Sequence, residues 1–160
     1  MDAMTSLRFE AMPEITARAF RADAHDANNQ PPERHISDGQ GNPCRHCLTD
    51  IPQGEPFLVL AYRPAAALQP YAEVGPIFLH AEACDRYDGS AGVPAMLLNR
   101  EQIMIRGYGE DDRIVYGSGR VIATADVAET AAKLFERPEI AYIHLRSAAN
   151  NCYQCRIDRA

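Results

Sequence analysis

The sequence predicts an α+β fold, and three observations carry that prediction. Short runs rich in apolar and β-branched residues at 57–62, 76–79, 103–108, 113–123, 140–147 and 152–158 read as strands. Two segments, one after Pro13 and one over 127–135, repeat apolar residues at helical spacing. The connections carry Gly, Asn, Asp and Pro, which suits mostly antiparallel pairing with a few helices rather than regular parallel crossovers.

The elements follow in order. A short strand over 7–10 opens the chain. Pro13 starts a helix, since a proline there loses no helical hydrogen bond, and Ile15, Ala19 and Phe20 mark its apolar side until the pattern fades near Ala24. Residues 26–43 are rich in Asn, Gln, Pro, Asp and Gly and read as a loop, with Pro31-Pro32 and Asp38-Gly39 as turn signals. Strands at 57–62 and 76–79 flank a Pro/Ala-rich connection, and a short helix is expected over 81–86. Strands at 103–108 and 113–123 pair across Gly109-Glu110-Asp111-Asp112. Thr124 and Asp126 offer cap side chains before the helix at 127–135, which Pro138 stops. Strands at 140–147 and 152–158 close a hairpin around Ala148-Ala149-Asn150-Asn151.

With 160 residues, 46% of them apolar, the chain can bury one sizeable core, so a single domain over 1–160 is expected. Within it lie a metal-binding segment at about 41–87 and a sheet and helix segment at about 100–159. A net charge of −6 provides no basic footprint for nucleic acid. Arg106, Arg113, Arg120, Arg146, Arg156 and Arg159 nevertheless cluster in the second half, which leaves room for a local anion site. No apolar stretch approaches the roughly 20 residues that span a bilayer, and residues 1–11 lack the apolar core of a secretory leader. The expected location is the cytoplasm.

Five cysteines, four of them in two C-x-x-C pairs, suggest metal ligation or redox chemistry in a reducing compartment. Cys44 and Cys47 flank Arg45-His46 after Pro43, a bend that lets two thiolates converge. After a strand-rich segment, His80 and Cys84 form an H-x-x-x-C pair; on a helix they would sit one turn apart on one side. Three soft thiolates and one imidazole, closed at four, suit structural zinc. The rival set is all-cysteine: Cys44, Cys47, Cys152 and Cys155. Strand residues three apart point to opposite faces, so that set requires a break near Asn150-Asn151. A third reading makes Cys152 and Cys155 a redox-active thiol pair. A fourth buries Cys155 in phase with Tyr153 and Ile157.

Tyr142, His144 and Arg146 share one strand face. Such a face is most often solvated, yet with Cys152 it offers an acid or base, a hydroxyl, a thiol and an anion clamp. Arg106 and Arg120 are candidates to join it. Gly107, Gly109, Gly117 and Gly119 lack the lysine and setting of a phosphate loop and point instead to bulges or close crossings. No Gly-x-Ser-x-Gly elbow or His-Glu-x-x-His helix occurs.

Knuckle, hairpin and a following second ligand pair resemble the treble-clef arrangement of LIM-type and PARP-type zinc fingers, over Cys44 to Cys84 only. The motifs Gly41-Asn42-Pro43-Cys44-Arg45-His46-Cys47-Leu48, Gly75-Pro76-Ile77-Phe78-Leu79-His80, Arg113-Ile114-Val115-Tyr116-Gly117 and Asn150-Asn151-Cys152-Tyr153-Gln154-Cys155 resemble a bacterial family, domain of unknown function 1203. That resemblance runs from about Leu7 to Arg159. It implies a bacterial, single-domain protein and no particular activity.

The leading functional expectation is a non-enzymatic, zinc-stapled binding or interaction protein, in which the ion replaces burial that the polar segment 26–56 cannot supply. One alternative is an enzyme acting on a small anionic molecule at Tyr142, His144, Arg146 and Cys152. The other is a C-x-x-C thiol redox protein. A protein partner or a small anion is the expected ligand class; a membrane is not.

Overall fold

A computed structural model describes residues 6–160, so 1–5 of the N-terminal stretch 1–11 read above lie outside the described residues. The fold is α+β and mostly antiparallel. The chain separates into two compact units, one formed by residues up to Glu10 together with Asp88–Ala160, the other by Ala11–Tyr87. Among the described residues no helix is long and apolar enough to cross a membrane.

The first unit is a five-stranded antiparallel sheet in the order β1-β8-β7-β5-β6. Its strands are β1 (Leu7–Glu10), β5 (Gln102–Tyr108), β6 (Arg120–Ala123), β7 (Tyr142–Ser147) and β8 (Tyr153–Arg159). Register places Phe9, Ile105, Gly107, Ile143, Leu145, Cys155 and Ile157 on one face. The helix α3 (Val127–Leu134) lies against β5 and buries Val127, Ala131 and Leu134. At Gly107 the close crossing is real, because a Cβ there would meet Ile140 Cδ1 at 2.8 Å.

Four expectations change in this unit. The strand read over 113–123 shrinks to β6: the Gly109–Asp112 turn forms, but Val115 N–H and the Ser118 hydroxyl then satisfy the Gly107 carbonyl and N–H, so a loop replaces strand pairing there. Thr124 and Asp126 make no side-chain cap; Thr124 Oγ1 donates to the Arg100 carbonyl at 2.6 Å, and residues 124–126 form a short 3₁₀ turn before α3. A short helix, α2 (Ala95–Leu98), was not foreseen, as one turn is too brief to show a period. Finally, a β-bulge opposite Leu145/Arg146 pairs Cys155 with Leu145 but Tyr153 with Arg146. Cys155 is buried as read, yet Tyr153 stands on the opposite face, since the extra residue reverses the alternation.

The second unit carries the helix α1 (Glu14–Arg21) and a three-stranded antiparallel sheet, β2 (Glu33–Ile36), β3 (Pro56–Tyr62) and β4 (Gly75–His80), in that order. Ala17, Ile51, Leu58, Leu60, Ile77 and Leu79 build its core with Cys44. The edge strand β2 was read as loop because all four of its residues are exposed and no apolar alternation marks it. The helix begins after Pro13 as expected, and of the three residues read as its apolar side Phe20 packs against the core, while Ile15 and Ala19 are exposed and Ala17 is buried instead. Glu14, Ala17 and Arg21 share the side turned to the Cys/His segment, polar at both ends, so hydrophobic spacing located that side only in part. No helix forms over 81–86; the chain bends at 81–82 and continues without regular structure.

Candidate metal centre

The Cys44–Cys47 bend is a tight knuckle. Cys44 N–H donates to the Thr49 carbonyl at 2.9 Å, Leu48 N–H donates to the Cys44 carbonyl at 3.0 Å, and Pro43 bridges Asp50. Leu48 takes a left-handed φ of 55°, unfavourable for a residue with a Cβ, while its side chain is fully buried. The knuckle is stitched to β4, since Arg45 N–H donates to the Phe78 carbonyl at 3.1 Å. That contact sets Cys44 beside the end of β4, where His80 projects.

Cys44, Cys47, His80 and Cys84 form one cluster, their ligand atoms all within 4.8 Å of one another. Cys44 Sγ lies 3.9 Å from Cys84 Sγ, and Cys47 Sγ lies 3.4 Å from His80 Nδ1. Around a tetrahedral zinc with bonds of about 2.3 Å to sulfur and about 2.0 Å to nitrogen, the S–S and S–N separations are about 3.8 and about 3.5 Å. The side chains present fit such an ion and can hold it. A strand end and an irregular bend present His80 and Cys84, in place of the helix expected for a treble clef. Neither Cys152 nor Cys155 belongs to the cluster.

Each ligand also has an outer partner. His80 N–H donates to Cys44 Sγ at 3.3 Å, and Thr49 Oγ1 lies 3.1 Å from Cys47 Sγ. Arg21 Nη2 donates to Cys84 Sγ at 3.0 Å, and Arg21 Nε donates to the His80 carbonyl at 3.0 Å. With Nδ1 turned to the cluster, His80 Nε2 faces Glu55 Oε2 at 3.7 Å. The hydrogen bonds from Cys47 and Cys84 hold the Cys44 thiol far below the usual thiol range. The same sulfurs, Cys44 first and then Cys47, raise the His80 imidazole to about 10. Hydrogen bonding to Cys44 pushes the Cys84 thiol up. The cluster by itself thus stores a thiolate beside an imidazolium, a charge pattern that a divalent cation replaces by displacing protons.

Beside the knuckle, His46 is fully buried, with Nδ1 2.8 Å from the Met12 carbonyl and Nε2 2.8 Å from Glu14 Oε2. Sequence reasoning passed over His46, Glu14, Arg21, Thr49 and Glu55. The position of His46 inside the C-x-x-C was a usable signal; the other four are ordinary surface types with no motif.

On the first unit's sheet, Tyr142, His144 and Arg146 do share a face, but it is buried rather than solvated. His144 packs against Tyr108 at 4.4 Å and Tyr153 at 4.9 Å, and Tyr108 stacks on Tyr142. Arg146 Nη2 lies 3.2 Å from His144 Nδ1, and Arg146 Nη1 donates to the Asn151 carbonyl. Because a guanidinium only donates, Nδ1 accepts and the ring is neutral. Burial, then the charges of Arg146, Arg106 and Arg156, depress the His144 imidazole well below its usual range. Burial, then the hydrogen bond to Asp112, pushes the Tyr142 phenol up. Arg106 joins this face, pairing across from His144. Arg120 does not, since it pairs with Ile105 of the apolar face. Cys152 sits at the hairpin end with Sγ toward the Asn150 carbonyl at 3.8 Å.

A family model described as Protein of unknown function (DUF1203) matches residues 41–159. No curated protein and no solved structure matches the chain.

Proposed function

For this chain, a member of the DUF1203 family, we propose the role of a zinc-stapled binding or interaction protein without catalytic activity of its own. The observation that carries the reading is the four-ligand cluster of Cys44, Cys47, His80 and Cys84, closed by protein atoms alone. A structural zinc site is closed in this way, whereas a catalytic one keeps a position for water or substrate. The ion would join the knuckle, the end of β4 and the bend after it, segments with little regular structure of their own. Cytoplasmic residence fits five cysteines that are all free thiols. Elemental analysis of the purified protein tests the reading, with one zinc per chain expected and none in Cys44→Ser. Metal-free protein that stays metal-free after refolding with zinc would overturn it.

A second reading, binding of a small anion beside the Tyr142, His144 and Arg146 face, is supported by the arginines gathered there: Arg146 Nη2 lies 3.2 Å from His144 Nδ1, and Arg106 and Arg156 pair across from His144 on the two neighbouring strands. Inorganic phosphate or a dicarboxylate should then raise the melting temperature of the parent and not of Arg156→Gln. Equal responses, or none, would remove the anion site.

A further inference from the structure

Three thiolates and one imidazole give a zinc centre a net charge of −1, and the protein places one guanidinium on it. Arg21 Nη2 donates to Cys84 Sγ at 3.0 Å, while Arg21 Nε holds the His80 carbonyl at 3.0 Å. The other sulfur donors are neutral: His80 N–H for Cys44 and Thr49 Oγ1 for Cys47. Resting on the zinc reading above, we propose that Arg21 is the positioning residue of the site. It supplies the charge that balances the three-thiolate centre and clamps two ligands, His80 and Cys84, in one fork.

The geometry supports this in two ways. A guanidinium presents its Nε and Nη donors in a fixed plane, so one side chain fixes the direction of the Cys84 sulfur relative to the backbone of His80. This matters because no helix holds the two ligands in register; the segment between them bends at 81–82. The fork supplies the rigidity that a helical turn provides in a treble clef. A hydrogen bond from a cation also withdraws electron density from a thiolate, so Cys84 in the loaded site is a poor nucleophile. Arg21 reaches the cluster because α1 turns Glu14, Ala17 and Arg21 to one side.

The test uses the full chain. Zinc affinity by chelator competition should fall about 10- to 100-fold in Arg21→Gln, as for outer partners of metal ligands generally, and less in Arg21→Lys, which keeps the charge but not the fork. In the zinc-loaded proteins, iodoacetamide should leave Cys84 unmodified in the parent and label it in Arg21→Gln. With cobalt in place of zinc, the sulfur-to-metal charge-transfer band should shift in both variants, a change that a purely structural arginine would not cause. Parent and Arg21→Gln agreeing within twofold in affinity, with the same band and the same Cys84 labelling, would overturn the proposal. If Arg21→Gln fails to fold, the cobalt band and Cys84 labelling of Arg21→Lys decide the question alone. A parent that binds neither zinc nor cobalt would instead refute the zinc reading, a result distinguishable from a loaded parent indifferent to Arg21.

Discussion

Glu14 and Arg21 stand on one face of α1, and each ends on the Cys/His segment: Glu14 Oε2 lies 2.8 Å from His46 Nε2, and Arg21 Nη2 lies 3.0 Å from Cys84 Sγ. Ala17 between them is fully buried. The helix is thus fastened at its first turn to the knuckle and at its last turn to the second ligand pair. An eight-residue helix has little stability of its own, so these ties and the burial of Ala17 decide whether it forms.

The first prediction concerns the knuckle end of that fastening. His46→Leu keeps a side chain of similar bulk but leaves the buried Met12 carbonyl without its donor, a loss of about 1–3 kcal/mol. Urea unfolding should show a lower midpoint, and Glu14→Gln should show a smaller loss because Glu14 is half exposed. An unchanged midpoint for His46→Leu would mean that the pair is ornamental.

The second prediction separates the two cysteine pairs. Removing Cys44 should release zinc and destabilise the protein, because metal-binding free energy at such a site is also folding free energy. Cys152, half-exposed at a hairpin end, should tolerate alanine. With excess zinc, Cys44→Ala should melt well below the parent and Cys152→Ala within experimental error of it. Addition of a chelator to the parent should speed hydrogen exchange at the amides of Cys44, Leu48 and His80, whose bonds belong to the cluster. Equal melting of Cys44→Ala and the parent would contradict the assignment.

Much of this arrangement was legible in the residues. Cys44, Cys47, His80 and Cys84 could be grouped because thiolate and imidazole pairs at short spacing signal one ligand set, even across the 32 residues that separate them. The strands β3, β4, β7 and β8 were legible from β-branched and apolar content. What escaped is of a different kind. The inward turn of Glu14 and Arg21 runs against hydrophobic periodicity, because the face serves polar contacts. The bulge beside Arg146 changes which side of the sheet Tyr153 occupies, and no residue type announces a bulge. The burial of His144 and Arg146 was hidden because both are polar, and only the structure shows that Arg146 Nη2 is paired with His144 Nδ1 beneath the surface.

A third prediction tests the sheet. A methyl group at Gly107 would sit 2.8 Å from Ile140 Cδ1 and 3.1 Å from its Cγ1, and Ile140 is fully buried. Gly107→Ala should therefore cost about 1–3 kcal/mol through overpacking. Adding Ile140→Val removes the offending methyl, so the double variant should lose less than the sum of the two single losses, a non-zero coupling energy. Purely additive losses would show that Gly107 is required for another reason.

The last prediction follows from the neutral state of His144. Burial first, then Arg146, Arg106 and Arg156, hold its folded-state pKa well below the ordinary value of 6.5. As pH falls through that ordinary value, the unfolded chain takes up a proton at this position and the folded chain does not. The unfolded state then binds more protons, so stability falls with decreasing pH, by at most about 1.4 kcal/mol per pH unit for this single group. The decline begins near the unfolded value and ends only when the buried ring itself protonates; above it the group contributes no pH dependence. His144→Gln removes the titration, so between pH 7.5 and 5.5 the parent should lose more stability than the variant, whatever their difference at pH 7.5. Proton NMR gives the direct check: the His144 ring resonances should stay fixed across that range. A His144 ring that titrates with a midpoint in the usual histidine range would show that the Arg146 Nη2 to Nδ1 contact does not hold the imidazole neutral.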